Sequence, residues 1–395
     1  MNARLLGCWI LALNGLFLVH LGWGDEVQSD SAQPLGLLSE TNLAYSLLAA
    51  QAVTAPSLTL GGMLQADMQV WGANARVPSI FSSAYPQSGS ALALTTADLY
   101  TLANVNDWTQ LFFTLQGGLN GYPTTLSEAM IDFGNLSKTP FYASVGEMNL
   151  PFGVFPGGGL VESTLESSAF ESTQLNQLNL GFSLGQLDTS LAFFNGQNSL
   201  NDFVYNVQYG HSLGNFSLSG GLGYMNDIRY SGSAIAAAYG TSSSRYTKQS
   251  KILKGGEIGA VSLNAALAYP LTASQSLGAA AEWVSTTSSP LFHDQPTGDM
   301  QAWSLTGNYN RPIFQKNTSF AIDYSASVHM QMVPIPFAVP VNAVNVNLIG
   351  TQDQWLGYVQ TELVHNVYVG PEYAWIQLYH GGQTWESTLD VTVYL

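Results

Sequence analysis

The chain has 395 residues, of which 46% are hydrophobic and only 9% are charged, and its 26 acids outnumber its 10 bases for a formal charge of −16. So little charge, against roughly 25% in an ordinary soluble domain, argues against a water-exposed globule. So strong an acidic balance excludes nucleic acid as a partner, because a phosphate backbone needs a basic footprint.

The first element is a targeting segment. Met1 to Arg4 carries one positive charge, Leu5 to Leu21 is almost wholly apolar, and Gly22-Trp23-Gly24 offers signal peptidase a small-x-small pair before the acidic Asp25-Glu26. Residues 1–24 are therefore expected to be a signal peptide cleaved after Gly24. Leu5-Leu6-Gly7-Cys8 matches a lipoprotein box, but only seven residues precede the cysteine, so it is read as part of the discarded signal. The mature chain would then hold 26 acids and 9 bases, a formal −17, and no cysteine. Disulfides, thiol nucleophiles and thiolate metal sites would be absent from it.

Residues 25–56 show no strand pattern. Leu37 to Val53 suits a helix after Pro34, and the segment reads as a periplasmic extension or a partial plug. Beyond the signal no run of 18 apolar residues occurs, so crossing a bilayer by helices is ruled out. Yet mean hydropathy is positive, +0.11. A chain too apolar for water and too interrupted for membrane helices suggests a barrel, in which every second residue faces lipid.

From residue 57 onward the alternation is explicit. Leu58, Leu60, Leu64, Ala66, Met68 and Val70 hold one parity, while Thr59, Gln65, Asp67 and Gln69 hold the other. Strands are predicted near 57–71, 89–103, 108–118, 126–136, 140–150, 172–183, 187–195, 203–211, 216–225, 258–269, 276–287, 300–311, 318–330, 353–365, 367–378 and 384–395. The fold class is thus all-β: a transmembrane antiparallel barrel of about 16 strands over residues 57–395, with both ends in the periplasm. Short connections at 104–107, 183–186, 212–215, 272–275 and 312–317 would be periplasmic turns. Longer ones at 72–88, 150–171, 226–257 and 331–352 are expected to face outside. Trp71, Trp108, Tyr142, Tyr224, Trp355, Trp375 and Trp385 fall near strand ends, as interfacial girdles require. In the last strand Leu389, Val391, Val393 and Leu395 alternate with Thr388, Asp390, Thr392 and Tyr394. This ending resembles the signature read by the barrel-assembly machinery, with Leu395 where Phe is usual. A soluble two-sheet β-protein would also alternate, but with more Lys and Glu on its exposed faces.

Motifs between Leu92 and Gln197 carry a family likeness: Thr96-Ala97-Asp98-Leu99, Val105-Asn106-Asp107-Trp108, Val145-Gly146-Glu147-Met148-Asn149-Leu150-Pro151-Phe152-Gly153, Glu171-Ser172-Thr173-Gln174 and Phe193-Phe194-Asn195-Gly196. This stretch resembles the LbtU-type (legiobactin receptor-like) siderophore porins, and the resemblance implies a 16-stranded porin and uptake of a ferric siderophore. A Gly-x-x-x-x-Pro-Phe-Gly stretch also occurs in phosphate-selective porins, so the general porin reading covers more. Glu147 departs from the family pattern, which has Lys there.

No enzyme motif is present: no His-Glu-x-x-His, no phosphate-binding loop and no Gly-x-Ser-x-Gly elbow. An outer-membrane phospholipase would need a Ser, a His and a carboxylate at the outer rim, and no spacing assembles them. No enzyme activity, cofactor or metal is expected, and His211, His293, His329, His365 and His380 read as surface or lumen residues. The acids Asp67, Asp98, Asp132, Glu147, Glu282, Asp323, Glu362, Glu372, Glu386 and Asp390 are assigned to the lumen, because a carboxylate facing lipid at midplane is costly. They would make a cation-favouring pore or simply be solvated wall residues. Five bases, Arg229, Arg245, Lys248, Lys251 and Lys254, share the 226–257 loop. They would capture an anionic ligand at the mouth or neutralise lipopolysaccharide phosphates.

The expected function is an outer-membrane channel for passive or receptor-like uptake of a small solute, a ferric siderophore by family likeness. A TonB-dependent transporter is excluded, since 22 strands and a plug do not fit the length. The rival is a structural or adhesive surface barrel with an occluded lumen. Expected partners are outer-membrane lipid and lipopolysaccharide, the assembly machinery and the solute; a monomer and a homotrimer both suit the pattern.

Overall fold

The computed structural model describes residues 43–49, 56–74, 88–117, 123–196, 199–239, 253–292, 294–341, 344–379 and 381–395. The expected signal peptide lies outside them, as do Arg245, Lys248, Lys251, His293 and His380.

Sixteen antiparallel strands close into one barrel. They are β1 Ser57–Ala73, β2 Ser88–Asn106, β3 Thr109–Gln116, β4 Thr125–Gly134, β5 Phe141–Met148, β6 Leu175–Leu184, β7 Leu187–Asn195, β8 Leu200–Leu213, β9 Phe216–Met225, β10 Ala260–Thr272, β11 Gln275–Thr286, β12 Gln301–Ile313, β13 Lys316–Val328, β14 Thr351–Val364, β15 Val367–Leu378 and β16 Gln383–Tyr394. Each pairs with its chain neighbours, and β1 closes the ring on β16 with Met63 opposite Tyr394 and Asp67 opposite Asp390. Closure satisfies the backbone groups that an open sheet edge would leave bare in hydrocarbon.

Period-two alternation decides which face is which. On β16, Trp385, Leu389 and Val391 are exposed outward while Thr388, Asp390 and Thr392 are buried inward. On β1, Leu60, Leu64 and Met68 face out against the buried Asp67 and Gln69. An apolar exterior around a polar interior inverts a soluble protein, as immersion in lipid demands. Aromatic rings form part of an outer girdle: Trp303 lies 5.3 Å from Tyr324 and Tyr324 4.6 Å from Trp355, with Trp375 and Trp385 following in register on β15 and β16. Trp71 and Tyr142 are corrections to the expected girdle. Both have inward parity and are buried at 4% exposure, Trp71 over Gly89 and Tyr142 donating to Asp188 at 3.1 Å.

The 149–174 connection also departs from expectation. It turns into the barrel instead of facing outside, which is why β5 stops at Met148 and β6 begins at Leu175. Its short helix α2, Leu165–Phe170, packs with α3, Ala234–Ala238, of the connection after β9. Leu165 and Phe170 of α2, Ile235 of α3 and the wall residues Phe194, Met225 and Val284 belong to one apolar cluster inside the outer half of the barrel. A third helix, α1, Leu43–Ala49, lies in the lumen against β2–β5.

Candidate functional site: the barrel lumen

The inward loop begins at the motif singled out in the sequence. Gly146, at φ 148°, crosses β4 so closely that a Cβ would stand 2.0 Å from the Ala129 carbonyl oxygen. Gln177 Nε2 then donates to the carbonyls of Met148 and Asn149 at 2.8 and 2.9 Å, and the Leu150 N–H donates to Ser172 Oγ at 2.8 Å. These bonds turn the chain off the wall and into the bore.

Three wall carboxylates receive it. Glu282 on β11 accepts the backbone N–H groups of Val154 and Phe155 and the Ser262 hydroxyl. Glu372 on β15 accepts those of Leu160, Val161 and Glu162, the last two at 3.0 and 3.1 Å. Asp323 on β13 accepts the Thr306 hydroxyl and the backbone of Gly158. Gly153 and Gly159 pass where no side chain fits, since a Cβ would lie 2.6 Å from Glu282 Oε1 and 1.9 Å from Glu372 Oε2. A buried carboxylate without partners is expensive, and so are buried amides without acceptors, so each group resolves the other's cost. Ser325 Oγ and Gln65 Nε2 add bonds to the Leu165 N–H and the Leu160 carbonyl.

The remaining acids divide by position. At the closing seam Asp67 accepts from Thr95 at 2.7 Å, Asp390 from Gln65 at 2.9 Å, and Glu386 from Thr388 at 2.6 Å. Asp98 accepts the Tyr100 hydroxyl, and Asp132 is fully buried on β4 beside Ser144. Glu362 sits at the periplasmic end, where it accepts from Asn317 at 3.2 Å and lies 3.6 Å from His365. Glu147 is a correction. Its partners across the ladder are Ala129 and Asn176, on the outward parity of β4 and β6, so it belongs to the outer face near the outer rim.

Sequence reasoning missed Glu128, which accepts from Thr114 at 3.0 Å, and Asp188 and Asp202, which accept from Tyr142 and Asn226, both at 3.1 Å. The same parity in β4, β7 and β8 carries all three. It also missed Glu166 in α2, which no periodicity marks. Burial pushes the Glu166 carboxyl up to about 8, partly offset by the hydroxyls of Ser304 and Thr164.

No Lys or Arg has inward parity among the described barrel-strand residues. Arg311 pairs with Thr318 on the outward side of Asn310 and Ser319. Of the five loop bases, Arg229 is bound to Asp227 with Nε 2.9 Å from Oδ1, and Lys254 lies 3.2 Å from Asp294. The other three fall outside the described residues. At the periplasmic turn Lys138 pairs with Asp107 and holds that carboxyl below its ordinary value.

Residues 25–252 match the model of a family described as protein of unknown function (DUF3573). The chain belongs to this DUF3573 family. The matching model is not that of the siderophore porins that the motifs resemble. No curated protein matches the DUF3573 chain. Solved structures do, at low identity. The chain is similar to a loop-deletion form of the outer membrane protein OmpT of Vibrio cholerae, at 9% identity over 86% of this chain and 100% of that one, TM-score 0.54. It is similar to the outer membrane channel DcaP of Acinetobacter baumannii at 11% identity over 86% and 98%, TM-score 0.54. An anion-selective porin from Comamonas acidovorans gives 9% identity over 86% and 100%, TM-score 0.55. At such identities the likeness establishes a shared barrel fold for this DUF3573 protein.

Proposed function

We propose that the protein is an outer-membrane channel, narrowed by its inward loop, that favours small cations and neutral solutes over anions. One observation carries the reading: the inner wall presents carboxylates from strands all round the barrel and, among the described strand residues, no opposing base. Fixed negative charge in a confined aqueous bore concentrates cations and repels anions. The apolar outer face, the aromatic girdle and the alternating last strand support placement in the outer membrane, with lipid, lipopolysaccharide and the assembly machinery as partners.

Uptake of a ferric siderophore is the finer function that the motif likeness supports. Its anionic cargo fits the wall poorly, and Arg245, Lys248 and Lys251 are the bases it would use. The apolar cluster in the outer half instead favours a structural barrel with an occluded lumen.

The test is reversal potential in a planar bilayer across a salt gradient. The wild type is expected to be cation-selective, and D98N/D132N/E362Q, which leaves the loop-holding acids intact, should move the potential toward neutrality. Anion selectivity would defeat the charge reading. Absence of conductance would favour the structural one, and growth on a ferric siderophore that R245Q/K248Q/K251Q abolishes would favour siderophore uptake.

A further inference from the structure

Away from the apolar cluster of the outer half, most of the inner wall is polar, but one strip is not. Leu102 on β2, Phe112 on β3 and Met130 on β4 stand side by side in register and face inward, with Tyr100 and Met148 close by. The neighbouring arc over β7 and β8 presents Ser190 opposite Asn206. An apolar strip facing water inside a channel costs free energy unless something covers it.

The cover is a segment of the same chain. Leu43, Ala44 and Leu47 of α1 join the strip in one buried cluster, and Tyr45 and Leu48 join a second around Tyr142. Gly134 leaves room for the approach, since a Cβ there would lie 3.3 Å from Leu48 Cδ1. The Tyr45 and Tyr142 rings are 6.0 Å apart, and the Tyr45 hydroxyl bonds to Ser183. The inward loop is held from β11, β13 and β15, across the barrel from β2–β5.

We propose that α1 is a plug: it seats on the apolar strip, obstructs the bore from the side opposite the loop, and opens it when released. The inference rests on the channel reading, because a plug needs a path to block. Most of the bonding that α1 makes is non-directional apolar burial, so it can leave its seat without stranding a ladder of polar groups.

The experiment uses the full chain with C8S and a single thiol from S144C, buried on the inward face of β5 between Tyr142 and Met148. A charged, membrane-impermeant maleimide should label that thiol slowly. Adding L43D/L47D, which places two charges against the strip, should speed labelling by about tenfold or more and raise single-channel conductance, since an unpaired buried charge shifts the seated–free balance that far. L43M/L47M keeps the apolar volume and should behave as the parent. Heat-modifiable migration of every variant confirms the barrel. Fast labelling without the aspartates, or unchanged conductance in a parent that conducts, overturns the plug and leaves the channel. Absence of conductance in both parent and L43D/L47D overturns the two together.

Discussion

The bore is entered from two sides by segments held in opposite ways. The 149–174 loop is pinned by carboxylates of β11, β13 and β15 to its own backbone amides, while α1 lies on β2–β5 largely by apolar contact. Carboxylate-to-amide bonds are directional and costly to break one-sidedly, so they fix where a chain runs. Apolar burial is indifferent to angle and yields as a whole. In the proposed channel the pinned loop is therefore the fixed constriction and the seated helix the part that moves.

The largest expected effect comes from the cluster where the loop meets the outer connections. Phe170 is fully buried there, and F170A should cost about 3–5 kcal/mol of local stability, the loss for a large aromatic in a packed interior. The temperature at which the heat-modifiable band shifts should fall, and the loop should become protease-sensitive. An unchanged transition would show that the outer half is not packed as one unit.

Next comes the pin itself. E372A leaves the amides of Leu160, Val161 and Glu162 without their acceptor, at about 1–3 kcal/mol for the buried Glu162 amide and less for the two part-buried ones. Proteolysis near the Gly157-Gly158-Gly159 run should quicken and conductance should rise, whereas E362Q, on the same wall but off the loop, should leave proteolysis unchanged. Equal behaviour of the two variants would erase the distinction between pinning acids and merely lining ones.

The smallest effect is a pH dependence of the loop. Burial raises the Glu166 carboxyl to about 8 from an ordinary value of 4.5, so the folded loop favours the protonated form. Its contribution is fully present below about 4.5 and is lost as pH rises through about 8. Loop proteolysis should accelerate between pH 5 and 9 in the wild type, by about an order of magnitude or less, and E166Q should make the profile shallower. A flat wild-type profile would mean that water reaches this carboxyl.

Much of this was legible in the chain because a strand's two faces are written at a period of two. Leu389-x-Val391 against Thr388-x-Asp390 gives both the strand and its orientation, and the same parity places Asp67, Asp132 and Glu372 on the inner wall. Glu147 misled because a carboxylate in an alternating run says nothing of which face the ladder turns inward near a rim; its partners Ala129 and Asn176 do. Trp71 and Tyr142 misled likewise, since an aromatic near a strand end suits a girdle and a lumen equally well.

What the sequence determined by itself was local: sixteen alternating segments, short turns on one side, long connections on the other, and a surplus of acids on one parity. What only the tertiary structure decided was the use of that parity. Glu282 meets Val154 across 128 positions of chain and Glu372 meets Glu162 across 210, and no periodicity reports on such pairs. They exist because ring closure brings distant strands to face one bore, where a loop that cannot leave its amides bare meets carboxylates that cannot stay bare either.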